Sequence, residues 1–286
     1  MKGKKGKRGG MGKVQARVFT LHVIFVLLGL RSAYLVDAAP MNAVEVEVYL
    51  KIITAAHSSW AVEVVVISLD MDVVVMLRST LEARVAELAR LDWGTRKGRE
   101  KVVVGLIGNS PATLSPEELL RARSDLLSAL ERSGLASLPQ PVDVAVDSGG
   151  VCDCISAIHH IFIVVQGACC PVFVAGWLLD YPAIYFVGPE GKPALLAMQE
   201  CKVLYAGVLL NEGCLRDVGG QPTELELIQC TIPTAIIDTT AGLASQLERC
   251  LMLWQSAIPS GVPGYDLVTR VKTKSNELIQ HSTVAI

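Results

Sequence analysis

Three valine-rich stretches decide the fold: Val62-Glu-Val-Val-Val-Ile-Ser-Leu69, Val73-Val-Val-Met-Leu77 and Val102-Val-Val-Gly-Leu-Ile107. Each stretch is short and β-branched, and Asp, Gly or Ser stands at its boundaries. Such runs are typical of strands that are buried on both faces. We therefore expect these stretches to form the centre of a sheet.

Helix signals follow two of these stretches. Ser79-Thr-Leu-Glu82 has the pattern of a capping box, and Ser115-Pro-Glu-Glu118 adds a proline at the first helical position and two acids in the first turn. An apolar stripe at helical spacing follows the second signal: Leu119, Ala122, Leu126 and Leu130. Strands that alternate with helices predict an α/β fold, a layered domain whose Val-rich central sheet is largely parallel and flanked by helices.

The composition limits the class of protein. The chain has 286 residues, of which 51% are hydrophobic and 19% charged. This balance excludes a disordered, collagen-like, disulfide-stabilised or multi-span membrane protein. No internal repeat or long linker interrupts the chain, so we expect residues 18–286 to form a single domain.

Charge is distributed unevenly along the chain. Residues 2–17 contain seven basic side chains and no acidic one, which predicts a disordered basic tail over residues 1–17. The remaining chain carries 19 basic and 28 acidic residues, a net charge of −9. Because an acidic body repels phosphate backbones, we expect no nucleic-acid binding beyond what the tail itself provides.

Residues 18–30 allow two interpretations. An apolar run after a basic stretch, followed by Val36-Asp37-Ala38, imitates a secretory signal with a cleavage site. The same residues also fit a first helix that leads into a first strand. The eight cysteines are scattered in a chain too large to need disulfides, which favours a cytoplasmic or nuclear protein. The secretory pathway is the alternative if residues 18–30 act as a signal.

A second apolar segment covers residues 155–179. It contains no charged residue and is long enough to cross a bilayer. However, His159, His160 and Gln166 are costly in lipid, and Gly167, Pro171 and Gly176 weaken a helix. We therefore expect a buried core element rather than a membrane span.

Polar residues at predicted strand ends are the candidates for catalysis. Ligands of parallel α/β sheets bind at the carboxyl ends of the strands, where Asp37, Asp147 and Ser148 fall. Asn42 belongs to the same group, although with Glu45 it also fits a helix cap in a segment whose alternation resembles a strand. These residues would serve a hydrolase or transferase acting on a small molecule. Ordinary turn chemistry is the favoured explanation of these residues, because Asp and Gly are common in turns.

A group of possible metal ligands lies near residue 155. Cys152, Cys154, His159 and His160 are the candidates, but their spacing matches no structural zinc template. We expect no metal there, and the sequence does not identify a cofactor.

Several short sequence motifs, taken in order, resemble those of one family. They are Leu21-His22 before Gly29-Leu-Arg-Ser-Ala-Tyr-Leu-Val-Asp37, Tyr49-Leu50, Cys170-Pro-Val-Phe173, Leu178-Leu-Asp-Tyr-Pro182 and the terminal Ser282-Thr-Val-Ala-Ile286. The sequence resembles the uncharacterised eukaryotic family that includes the product of human chromosome 1 open reading frame 74, a family without assigned activity. The resemblance implies a helix over Leu21–Leu30, a strand over Ala33–Asp37 and a helix over Ala43–Ile53.

The chain departs from this family pattern at two places. The Lys/Gly tail is additional, and so are residues 151–166, which we interpret as a family-atypical or non-native insert. Codons that begin with GT at Val151 and read CAG at Gln166 would match intron borders, so we hypothesise a retained intron.

The absence of a complete catalytic constellation favours a binding role. We therefore expect an intracellular α/β protein that acts as a non-enzymatic binding protein or scaffold. The alternative is the small-molecule hydrolase or transferase with a site at the strand carboxyl ends.

Overall fold

The computed structural model describes residues 12–37, 41–55, 62–70, 72–90, 102–107, 110–134, 157–164, 170–187, 201–210, 223–240, 243–245, 247–249 and 267–268. The helices in these ranges are α1 (Lys13–Leu27), α2 (Ala43–Ala55), α3 (Arg78–Arg90), α4 (Pro116–Arg132), α5 (Pro171–Leu178) and α6 (Thr234–Thr239). The strands are β1 (Ala33–Leu35), β2 (Glu63–Leu69), β3 (Asp72–Leu77), β4 (Val102–Ile107), β5 (Ser110–Thr113), β6 (Ala157–Ile163), β7 (Ala183–Val187), β8 (Cys201–Leu210), β9 (Thr223–Pro233) and β10 (Leu267–Val268).

The α/β class is confirmed, but the described sheets are mixed rather than largely parallel. The four-stranded sheet has the order β1-β3-β2-β6, and two three-stranded sheets have the orders β5-β4-β7 and β10-β8-β9. Of the seven strand pairs described, only β2–β6 and β4–β7 are parallel. The three valine-rich stretches do form strands, as β2, β3 and β4.

A short connection explains the antiparallel pairing of β2 with β3. Leu69 pairs with Asp72, which leaves only two residues between the strands. Parallel strands need a crossover of a dozen or more residues, so this connection permits only a hairpin. Asp70 takes a left-handed backbone conformation with φ 53°, which Asp tolerates better than most residues.

The four-stranded sheet separates two groups of buried side chains. Val64 and Val66 of β2 face α1 and α2, whereas Val65 and Ile67 face α3, α4 and α5. Residues of β4 and β7 join the second group, so the β5-β4-β7 sheet shares that core. The layers therefore run from α1 and α2, through the four-stranded sheet, to α3, α4 and α5.

The predicted start of α4 is confirmed. Ser115 Oγ accepts a hydrogen bond from the Glu118 amide at 3.3 Å, and the Glu118 carboxylate accepts one from the Ser115 amide at 2.8 Å. The backbone hydrogen bond from Ser115 holds the pKa of Glu118 below its ordinary value. In contrast, α3 begins at Arg78, because β3 runs directly into it, and Ser79 lies inside the helix.

The N-terminal helix is longer than expected. α1 begins at Lys13, so residues 13–17 of the predicted basic tail are helical. Residues 1–11 lie outside the described residues. The expected order of a first helix, a first strand and a helix over Ala43–Ile53 is confirmed as α1, β1 and α2.

The uncharged segment at residues 155–179 divides into two elements. β6 pairs in parallel with β2, and α5 follows after residues 165–169, which are not described. Ile161, Ile163 and most of α5 are buried. Within the described part of the chain, no helix is long and apolar enough to cross a membrane.

The place of β6 in the sheet makes the hypothesis of a retained intron testable. Deletion of residues 151–166 would remove β6 and its buried Ile161 and Ile163. Loss of one such side chain alone costs about 2–5 kcal/mol. We expect the shortened chain to unfold at a clearly lower urea concentration than the full chain. Equal or greater stability of the shortened chain would show that this segment is no part of the fold.

Candidate functional site

Two of the predicted catalytic residues share one edge of the four-stranded sheet. β1 and β2 are both antiparallel to β3, so they run parallel to each other. Asp37 follows β1 and Asn42 precedes α2, which places both at the carboxyl end of β1. Asp147 and Ser148 lie outside the described residues, so their convergence with Asp37 stays a prediction.

The Asn42 side chain forms a hydrogen bond with the backbone at the start of α2. Its side-chain oxygen accepts a hydrogen bond from the Glu45 amide at 3.0 Å, and the Glu45 carboxylate accepts one from the Asn42 amide, also at 3.0 Å. This reciprocal pair is the helix cap that the sequence offered as the alternative. The cap uses one of the two acceptor lone pairs of the Asn42 side-chain oxygen.

Asp37 lies beside further acids. Its carboxylate accepts a hydrogen bond from the Tyr34 hydroxyl at 3.4 Å. The Val36 amide bonds to the Val73 carbonyl at 2.8 Å, so the β1–β3 register continues toward Asp37 and Asp72. Asp37, Asp70 and Asp72 are all exposed. No group of three or more acidic, His or Cys side chains among the described residues is arranged to hold a metal ion.

The two candidate metal-binding histidines point away from each other. His159 and His160 are neighbours on β6, where successive side chains face opposite sides of the sheet. His159 Nε2 lies 3.4 Å from a Glu63 carboxylate oxygen, and His160 Nε2 lies 2.8 Å from a Glu47 oxygen. They cannot share one ion in this arrangement. Cys152 and Cys154 lie outside the described residues.

Arg78 joins three elements, and the sequence alone did not single it out. The side chain is 6% exposed. Its Nε donates to Glu82 at 2.7 Å and its Nη1 donates to Glu63 at 2.9 Å. These hydrogen bonds raise the pKa of Arg78, Glu82 contributing most. Because Glu63 also meets His159, the group ties β2, α3 and β6 together.

Arg84 forms a second buried polar group. Its guanidinium contacts the Asp180 carboxylate and lies 3.5 Å from the Ser32 hydroxyl and 3.8 Å from Glu87. Asp180 takes a left-handed conformation with φ 64° just after α5. These contacts join α3 to the residues before β1 and after α5. Both arginines are surrounded by acids, so neither offers its charge to an anionic ligand.

His22 is held neutral inside the α1 layer. Nη1 of Arg31 donates to Nδ1 of His22 at 2.8 Å, and the imidazole stacks on the Tyr34 ring with centroids 4.6 Å apart. Burial, followed by the Arg31 charge, lowers the pKa of His22 to about 3. A buried imidazole that accepts from arginine on Nδ1 is uncharged at neutral pH, so it does not serve there as an imidazolium acid.

The most distinctive surface is the outer face of α2, formed by Val44, Val48 and Ile52. These side chains are 66%, 53% and 61% exposed. They lie four residues apart and therefore form one line along the helix. The inner side of the helix is buried through Val46 and Leu50. The alternation of Val with Glu over residues 44–48 concealed this line, because it resembles a strand.

β6 extends the apolar surface on the same side of the sheet. Phe162 and Val164 are 63% and 57% exposed. Since side chains alternate along a strand, both share the side of His160, which contacts Glu47 of α2. Five of the seven large hydrophobic side chains found exposed among the described residues therefore lie on α2 and at β6.

Comparison with known proteins finds no match to this chain among family models, curated proteins or solved structures. The geometry of the described residues is therefore the basis for any functional assignment.

The neutral state of His22 predicts acid sensitivity. The unfolded chain binds a proton at His22 below its ordinary pKa of 6.5, whereas the folded chain does so only near pH 3. Stability from this group is therefore complete above pH 6.5 and is lost as the pH falls toward 3. Between pH 6.5 and pH 5 the loss is about 2 kcal/mol.

His22→Asn removes the titrating group and also the stack on Tyr34. In urea unfolding the variant should be less stable than the wild type at pH 7, and the difference should shrink by about 2 kcal/mol at pH 5. A difference that stays constant between the two pH values would contradict the buried, neutral assignment.

Proposed function

We propose that the protein is a non-catalytic binding protein that uses the outer face of α2 to dock another protein chain. The observation that carries this proposal is the line of Val44, Val48 and Ile52, each more than half exposed. Single exposed apolar side chains are common on protein surfaces and need no explanation. Three in line on one helix form a patch of the kind that marks a contact surface, and Phe162 and Val164 add exposed apolar surface on the same side of the sheet.

The pattern of α2 strengthens this argument. A surface helix ordinarily has an apolar side toward the core and a polar side toward water. α2 has apolar residues on both sides, since Val46 and Leu50 already face the sheet while Val44, Val48 and Ile52 face outward. The outer apolar side of α2 has no cover from its own chain among the described residues, and a docked chain would supply one.

The polar atoms around the patch leave little chemistry for catalysis. Lys51 Nζ lies 2.6 Å from Glu47, whose other carboxylate oxygen lies 2.8 Å from His160. The hydrogen bond from Lys51, with a smaller contribution from His160, holds the pKa of Glu47 below its ordinary value. Glu47 is thus kept ionised by structural partners and is unsuited to act as a general acid.

The alternative of a small-molecule hydrolase or transferase depends on Asp37 and on residues 147 and 148. Asn42 already has a structural role as the cap of α2. The enzyme stays a prediction. Asp37 is exposed at the end of β1, whereas residues 147 and 148 lie outside the described residues. The binding role has the stronger support.

We further propose membership of the uncharacterised family that the sequence resembles, one domain over residues 18–286, and residence in the cytoplasm or nucleus. The core shared by the β1-β3-β2-β6 and β5-β4-β7 sheets supports a single domain. Phe19 and Val23 of α1 pack in one cluster with Val73 and Val75 of β3, and cleavage after residues 18–30 would remove them. This packing favours α1 as a retained element over a secretory signal.

The docking proposal predicts an assembly that depends on residue 48. Full-length protein expressed in cells should elute from a sizing column, directly from a cleared extract, above the 30.7 kDa expected for one chain. Val48→Asp should move the protein to the elution volume of a single chain, because a carboxylate in the centre of an apolar contact loses its hydration.

Leu120→Asp is the matched control, since Leu120 is 45% exposed on α4, on the opposite side of the sheet. It should leave the assembly unchanged. If Val48→Asp elutes with an assembled wild type, or if the wild type is a single chain both in the extract and at high concentration after purification, the docking surface on α2 is wrong.

A further inference from the structure

We propose that the chain docked on the outer face of α2 is a second copy of this protein, with the two α2 helices packed antiparallel about a two-fold axis at Val48. This inference rests on the proposed docking function and names its partner. It is carried by the symmetry of the apolar line and by the charges that flank it.

The apolar line is symmetric about its middle residue. Val44 and Ile52 lie four residues before and after Val48, about 6 Å away on each side along the helix axis. A two-fold axis at right angles to the helix would bring Val48 against its own copy and Val44 against Ile52 of the second copy. Self-complementarity of this kind is what a two-fold interface requires.

The charges beside the line are also self-complementary. Glu47 and Lys51 lie on one flank of the outer face, where they already form an ion pair with each other. In an antiparallel pair related by a two-fold axis, each flank meets the same flank of the other copy. Lys51 lies three residues beyond Val48, and Glu47 lies one residue before it. In the antiparallel pair, Lys51 of one copy and Glu47 of the other are therefore separated by only about 3 Å along the helix axis.

Like charges are kept apart in the same arrangement. Glu45 flanks the line on its other side, three residues before Val48. The two copies of Glu45 would therefore be separated by about 9 Å along the helix axis, and so would the two copies of Lys51. The two Glu47 carboxylates come closer, but each has its own Lys51 and His160 beside it. The flanks therefore favour a second copy.

The contact is small. Three apolar side chains on one helix cover less than the roughly 800 Å² per partner that is usual in stable complexes. We therefore expect a weak, concentration-dependent dimer, and the concentrations used to detect it must reach well above the micromolar range.

Sedimentation equilibrium of the purified full chain tests the proposal. From about 10 to 500 μM, a range that covers dissociation constants weaker than micromolar, the average mass should rise from that of one chain toward that of two. Val48→Asp and Val48→Lys should each keep the mass of one chain, because like charges then meet at the two-fold axis. An equimolar mixture of the two variants should recover the rise, since Asp then meets Lys.

Two results would overturn the inference. A wild-type chain that keeps the mass of one chain at every concentration excludes a second copy as the occupant. A wild-type dimer whose Val48→Asp and Val48→Lys variants stay single when mixed excludes the axis at Val48. Since residue 48 faces outward, circular dichroism should give all three chains the same folded spectrum, and the wild-type concentration series needs no variant at all.

This experiment and the extract experiment can fail separately. If the assembly in extracts depends on residue 48 but the purified protein stays a single chain, the docking function is retained. The surface is then assigned to a different protein. Absence of assembly in both experiments rejects the docking function itself.

Discussion

Burial of β2 and β3 on both faces is the constraint on which the remaining structure depends. Val64 and Val66 lie in one buried group, and Val65 and Ile67 lie in the other. Each such valine stabilises the fold by roughly 1.5–3 kcal/mol relative to an exposed position. The sheet must therefore be covered twice, by α1 and α2 on one side and by α3, α4 and α5 on the other. The position of α2, and hence of its outer face, follows from this requirement.

Local signals in the sequence predicted much of the secondary structure. The three valine-rich runs and the capping box at Ser115 depend on neighbouring residues alone, and all of them are present. The pairing of the strands depends on the connections. The two residues between Leu69 and Asp72 impose a hairpin. The alternation of strands and helices in the sequence does not predict this pairing. A largely parallel sheet was therefore the wrong expectation for the described strands.

The candidate functional site was harder to predict, because the role of a polar side chain depends on partners that are distant in sequence. In the sequence Asn42 fits catalysis or a helix cap, and the bond from the Glu45 amide shows that the cap is formed. His159 and His160 are adjacent in sequence but contact different carboxylates on opposite sides of the sheet. Arg78 and Arg84 were not singled out, since their acidic partners come together only in the folded chain.

The central claim is that α2 is buried on one side by its own chain and available on the other for a partner. Side-chain footprinting with a photoactivated carbene, read by mass spectrometry, tests this claim directly at two protein concentrations. At high dilution Val44, Val48 and Ile52 should be labelled strongly while Val46 and Leu50 are not, and at high concentration the first three should become protected. Absence of labelling at Val44, Val48 and Ile52 at high dilution would contradict the account.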